Sequence, residues 1–208
     1  ADRLGCYNCR FTGWQDTIFN GDPMTCNMKK LMLPDFFQAS EVPIVHKFYR
    51  NYFKDCYVCG DVDYIFGPNT AFFDHCEIHS IARVSEEKAY ITAASTPAGQ
   101  EFGLIFSHCR ITGEEPDSVY LGRPWRDCAK TAFICCELGD HICPEGWQNW
   151  GKVRAEVLSD YIEYGNFGPG ADCSGRSPLS RCLVNPEVET YFSKENVLVG
   201  EDGWIPAE

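Results

Sequence analysis

Asp16 stands seven residues after Cys9, and Asp63 stands seven residues after Cys56. The first lies in Gly13-Trp14-Gln15-Asp16-Thr17-Ile18-Phe19, the second in Gly60-Asp61-Val62-Asp63-Tyr64-Ile65-Phe66-Gly67. If the two segments occupy equivalent places in neighbouring strands, their carboxylates lie about 4.8 Å apart. Two like charges that close resist ionising together, so one pKa rises while the other stays low. One carboxylate can then attack and the other can give or take a proton. The competing reading is a pair of solvated turn acids, the fate of most aspartates. Against it, each acid precedes an aromatic and β-branched run, where a surface acid gains nothing.

The elements that must position these acids are legible in the thirteen cysteines. Cys6-Tyr-Asn-Cys9 and Cys56-Tyr-Val-Cys59 could in principle make a four-thiolate zinc site, but the 46 residues between them are too many for a compact ribbon. Aligning the chain on Cys9, Cys56, Cys76, Cys109 and Cys136 shows a repeat instead. Three residues before the Cys stands Cys6, Phe53, Phe73, Phe106 or Phe133, and two residues after it Phe11, Val58, Ile78, Ile111 or Leu138. The residue just before it is Asn8, Asp55, His75, His108 or Cys135. Side chains alternate along a strand, so the Cys and the apolar residue two positions on share a face. Strand, tight polar bend and strand, recurring every few tens of residues, mark a β-solenoid whose equivalent side chains stack as ladders. In it the ladder cysteines are small apolar core side chains, and His75 and His108 are structural hydrogen-bonding residues at bends.

A chain of 208 residues points to one domain or a domain with a small appendage. With 44% hydrophobic and 14% aromatic residues it can build a substantial core, and wholesale disorder is excluded. A net charge of −12 argues against nucleic acid and anionic membrane surfaces as partners. No apolar run reaches the roughly 18–20 residues of a membrane helix, and the start at Ala1 shows no signal-peptide pattern, as a mature or truncated form would.

The two aspartate segments, with Tyr120-Leu-Gly-Arg123-Pro-Trp125-Arg126, resemble the three signature stretches of the pectin methylesterases. Tyr90-Ile-Thr-Ala-Ala, Gly139-Asp-His-Ile-Cys-Pro-Glu-Gly-Trp147 and Tyr164-Gly-Asn-Phe-Gly-Pro-Gly170 fit in the same order, so the resemblance covers roughly residues 5–175. It implies an all-β fold, a right-handed parallel β-helix, and metal-free hydrolysis of the C6 methyl ester of galacturonate, without a cofactor. Asp63 would be the nucleophile and Asp16 the general acid and later base. Gln15 would help hold the oxyanion, Arg123 would orient the nucleophile, and Trp125, Val62 and Phe66 would contact the sugar. The partner implied is methylated polygalacturonan or an oligogalacturonide.

The β-helix is expected over 1–175, with an inserted loop at about 20–47 that carries Pro23, Pro34 and Pro43. Met24, Met28 and Met32 could form a short apolar lid turn there, and His46 at its end reads as structural. Residues 176–208 form a C-terminal tail without the ladder pattern, with a short helix opening near Asn185-Pro186-Glu187. It should pack on the solenoid or cap it. The inserted loop is one departure from the family, and there are two others. The second oxyanion glutamine expected one coil upstream of Gln15 is absent, and a partner or further segment would have to cover the first coil's open edge. Cys128 stands where an aromatic residue is usual. Two alternatives follow: a pectin-binding solenoid without turnover, and a calcium-dependent lyase in which Asp61, Asp63 and Asp16 form the acidic cluster. The resemblance implies an extracellular or cell-wall setting, whereas many unpaired thiols suit a reducing cytoplasm.

Overall fold

The structure is a computed structural model that describes residues 1–21, 49–85 and 87–207. The lid turn at Met24, Met28 and Met32, the three prolines and His46 lie outside the described residues.

Successive coils each lay down strands in the same rotational order. Coil one contributes β1 (Leu4–Tyr7), β2 (Arg10–Thr12) and β3 (Ile18–Phe19). Coil two contributes β4 (Arg50–Lys54), β5 (Tyr57–Gly60) and β6 (Val62–Gly67). Coil three gives β7 (Thr70–Asp74), β8 (Glu77–Ser80) and β9 (Ala89–Ala94), and coil four β10 (Leu104–Ser107), β11 (Arg110–Gly113) and β12 (Val119–Gly122). Then come β13 (Lys130–Ile134), β14 (Glu137–Leu138), helix α1 (Ala155–Leu158), β15 (Asp160–Tyr164) and β16 (Ser180–Leu183). Helices α2 (Glu187–Tyr191) and α3 (Lys194–Leu198) follow.

These strands build three sheets, of order β1-β4-β7-β10-β13-β15-β16, β2-β5-β8-β11-β14 and β3-β6-β9-β12, and each named pairing is parallel. The chain is a right-handed parallel β-helix. The expected ladder is its register. Cys6 pairs with Phe53, Phe53 with Phe73, Phe73 with Phe106, and Phe106 with Phe133. The apolar residues two positions after the cysteines pair likewise, from Phe11 through Val58, Ile78 and Ile111 to Leu138.

The bend residues explain the polar position before each cysteine. Asn8, Asp55, His75, His108 and Cys135 all adopt φ between 51° and 53°, the left-handed region that turns the chain from one sheet into the next. Asn, Asp and His tolerate it better than most residues. The histidines are hydrogen-bonded there as expected: His75 Nδ1 lies 2.6 Å from Asp74 Oδ1, and His108 Nδ1 lies 3.0 Å from Ser107 Oγ. Cys56, Cys76, Cys109 and Cys136 are buried, and the thiols of Cys56 and Cys76 accept the N–H of the ladder cysteine in the preceding coil at 3.4 Å. Asn166 Oδ1 takes that role for Cys136 at 2.9 Å and ends the ladder.

Alternation along the first sheet divides the apolar residues between two clusters. Phe53, Phe73, Phe106 and Phe133 point into the coil interior. Tyr52, Phe72, Ile105, Ala132 and Ile162 face outward, where Val188 and Phe192 from α2 and its C-cap, with Val197 and Leu198 from α3, cover them. The stretch after residue 175 is not free of the solenoid, because β16 adds a seventh strand to this sheet. The short helix expected near Glu187 is α2.

Candidate active site

The pairing Ile18↔Ile65 and Phe19↔Phe66 puts Asp16 and Asp63 at the same step of adjacent coils. The backbone N–H of Asp16 donates to Val62 O at 3.1 Å, and both aspartates adopt left-handed φ, 59° and 50°. Such φ values carry backbone strain that the surrounding ladder must hold in place. Gly60 permits the close approach, since a Cβ there would collide with the Trp14 carbonyl and the Tyr64 side chain.

Asp63 is buried, at 5% exposure. Arg123, just past β12, reaches it across β9 with Nε donating to Oδ1 at 2.9 Å and Nη2 to Oδ2 at 2.7 Å. This two-point fork fixes both carboxylate oxygens. The guanidinium lies between two aromatic faces, 3.8 Å from the Tyr90 ring centre and 3.7 Å from that of Trp150. Gly122 lets this turn approach β9, because a Cβ would collide with Thr92 Oγ1. Lys152 sits over the other part of the site, its Nζ 4.3 Å from the Trp150 ring centre and donating to the carbonyls of Pro124 and Trp125 at 2.6 and 3.0 Å.

Burial pushes the Asp63 carboxyl above the ordinary aspartate range, while the Arg123 fork and the charges of Lys152 and Arg83 pull it back. Asp16 is also raised, by burial first and by the Asp63 charge second, with Arg123 opposing. The expected division into one low and one raised acid therefore takes another form: both are raised. Their partners distinguish them. Asp63 holds the guanidinium, whereas Asp16 forms no ion pair among the described residues.

Gln15 and Val62 line a groove of about 660 Å³ with Tyr90, Tyr120, Arg123 and Gln148, and Arg83 and Lys88 stand on the same groove. Gln15 is exposed and Val62 buried beside the aspartates. Trp125 and Phe66 do not line this groove. They meet edge to face at 5.7 Å, and Phe66 continues to Phe19 at 5.0 Å, so they form an aromatic row along the same sheet. Asp61 turns to its own backbone, accepting from Val62 N at 2.7 Å, and no three carboxylates converge among the described residues. The calcium cluster of the lyase reading is not formed, and neither is a thiolate cluster from the two Cys-x-x-Cys pairs.

Sequence reasoning missed Trp150, Lys152 and the role of Tyr90. Tyr90 stands in a quoted stretch, yet only the β9 register places it beneath Arg123. Trp150 and Lys152 lie on a connection between β14 and α1, where no periodicity points to them.

A family model described as pectinesterase matches residues 38–201. Pectinesterase 31 of Arabidopsis thaliana is 36% identical over 189 residues, which is 90% of this chain and 50% of that protein. Probable pectinesterase A of Aspergillus fumigatus is 35% identical over 188 residues, 86% of this chain and 48% of that protein. The chain thus spans about half the length of these curated relatives. Among solved structures, a pectin methylesterase from carrot superposes with a TM-score of 0.77 at 25% identity, covering 97% of this chain and 58% of that one. A pectin methylesterase in complex with a hexasaccharide gives 0.73 at 26% identity, covering 100% of this chain and 59% of that one.

Proposed function

Because this chain belongs to the pectinesterase family, we propose that it hydrolyses the C6 methyl esters of galacturonate in pectin or oligogalacturonides, with Asp63 as nucleophile. The observation that carries this reading is the buried Asp63 carboxylate, held at two points by Arg123 with Asp16 at the same step of the preceding coil. One Asp63 oxygen attacks the ester carbonyl, and the new C–O bond leaves a tetrahedral oxyanion within reach of a donor amide from Gln15. Collapse breaks the bond to the methoxy oxygen, which takes the proton of Asp16 and leaves as methanol. Asp16, now charged, removes a proton from water. The resulting hydroxide cleaves the acyl–Asp63 bond, which frees the galacturonate carboxyl and restores both aspartates.

The groove beside Gln15 and Val62 takes the sugar at the reacting ester, and the Phe19–Phe66–Trp125 row offers apolar surface for neighbouring sugars. The disulfide Cys173–Cys182 supports an oxidising, extracellular setting. The buried ladder thiols are compatible with it because they are screened from oxidants.

The test is methanol release from highly methylated pectin between pH 5 and 8. Wild type should release methanol, and Asp63→Asn should lower the rate by at least about 10³-fold with unchanged circular dichroism. A folded wild-type chain that binds pectin without releasing methanol would instead be the binding solenoid.

A further inference from the structure

Away from the catalytic groove, the bends between the first and second sheets carry a donor set that the esterase chemistry does not use. His75, His108 and Cys135 occupy the same left-handed bend position in three successive coils, so the register stacks them. The two imidazoles stack at 5.2 Å with 6° between their planes. Helix α2 lays Glu189 against them, with Oε1 3.9 Å from His108 Nε2. One ligand atom each from His108, Cys135 and Glu189 lies within 4.8 Å of the others.

We propose that His108, Cys135 and Glu189 form a zinc site that fastens helix α2 to the edge of the β-helix. An imidazole, a thiolate and a carboxylate together suit zinc better than calcium or magnesium, which take oxygen alone. Zinc–ligand bonds of about 2.0–2.3 Å put tetrahedral ligand atoms about 3.3–3.8 Å apart. The His108–Glu189 separation is already close to that. Small rotations of partly exposed side chains bring Cys135 in, while the left-handed bends hold the two Cα positions. The hydrogen bond of His108 Nδ1 to Ser107 Oγ at 3.0 Å supports the outer shell, since donation of Nδ1–H to Ser107 leaves the Nε2 lone pair for the metal. On binding, the Cys135 S–H bond breaks, the Zn–S bond forms and the proton passes to solvent. Three protein ligands leave the fourth position to water. His108 and Cys135 come from different coils and Glu189 from the tail, so the ion would join three segments distant in sequence.

The experiment is a zinc titration of the full chain against a chromogenic chelator, repeated for Cys135→Ser, Glu189→Gln and Cys128→Ser. Cys128→Ser controls for an unrelated, half-buried free thiol. Wild type and Cys128→Ser should bind one zinc per chain with a Kd below about 10 µM. Cys135→Ser and Glu189→Gln should each weaken binding at least tenfold. Cobalt should give a thiolate charge-transfer band in wild type that Cys135→Ser lacks, and zinc should slow hydrogen exchange in residues 187–191. Glu189 is an exposed side chain, so its variant keeps the test valid if Cys135→Ser fails to fold. Weaker wild-type binding, or binding that Cys135→Ser and Glu189→Gln leave unchanged, overturns the site.

Discussion

In the proposed mechanism Asp63 meets two opposing demands: burial disfavours its charge, and a nucleophilic carboxylate must be charged. Arg123 reconciles them through geometry, because its fork meets both oxygens while Tyr90 and Trp150 clamp its plane. A lysine there keeps the charge but loses the second contact and the stacking. Arg123→Lys should therefore lower kcat/KM by about 10²-fold with little loss of stability, as steady-state methanol release would report. The pH profile has a definite sign. With both carboxyls raised, the rate should climb as pH rises through the raised value of Asp63, above the ordinary aspartate range. It should fall again as Asp16 loses the proton that methanol needs. In Asp16→Asn the residual rate should lack that alkaline descent, measured as kcat/KM from pH 3 to 9. The limbs belong to the coupled pair rather than to either residue alone.

At the scale of elements, the ladders explain why the aspartates meet at all. The rings of Phe53, Phe73, Phe106 and Phe133 stack at 4.5, 4.7 and 4.5 Å with planes within 9° of parallel, so each coil registers on the one before. Phe106 stands inside this stack with no exposed surface. Phe106→Ala should cost about 3–5 kcal/mol, read as a lower denaturant midpoint. The ladder was legible in the sequence because both its period and its residue types repeat: Phe, a bend residue, Cys and an apolar residue two positions on. The left-handed backbone at Asp16 and Asp63 was not legible. It depends on how the chain leaves the second sheet and enters the third, which no residue type there announces.

For the whole molecule, the phenylalanine ladder ends on a charge. Phe133 pairs with Glu163, which is 2% exposed and accepts from Trp147 Nε1 at 2.9 Å. Arg176, from the segment before β16, closes it with Nε at 2.8 Å and Nη2 at 3.0 Å. The tail thereby supplies the counter-charge for a carboxylate inside the last coils. Removing only one partner leaves a buried charge uncompensated, so Arg176→Met should destabilise by about 3–5 kcal/mol. Adding Glu163→Leu should recover most of that loss, as thermal unfolding of the single and double variants would show.

The amino-acid sequence by itself determined the repeat, the strand faces and the pairing of Asp16 with Asp63, because these follow from period-two alternation and equal spacing within each coil. The same signature residues led to the pectinesterase family. Only the tertiary structure decided what stands around those acids. Tyr90 from β9 and Trp150 from the β14–α1 connection close on Arg123, Lys152 on that same connection holds the carbonyls of Pro124 and Trp125, and the tail enters the core through Arg176 and β16. Their meeting depends on how irregular connections of different length fold back onto the stack, and a spacing rule carries no information about that.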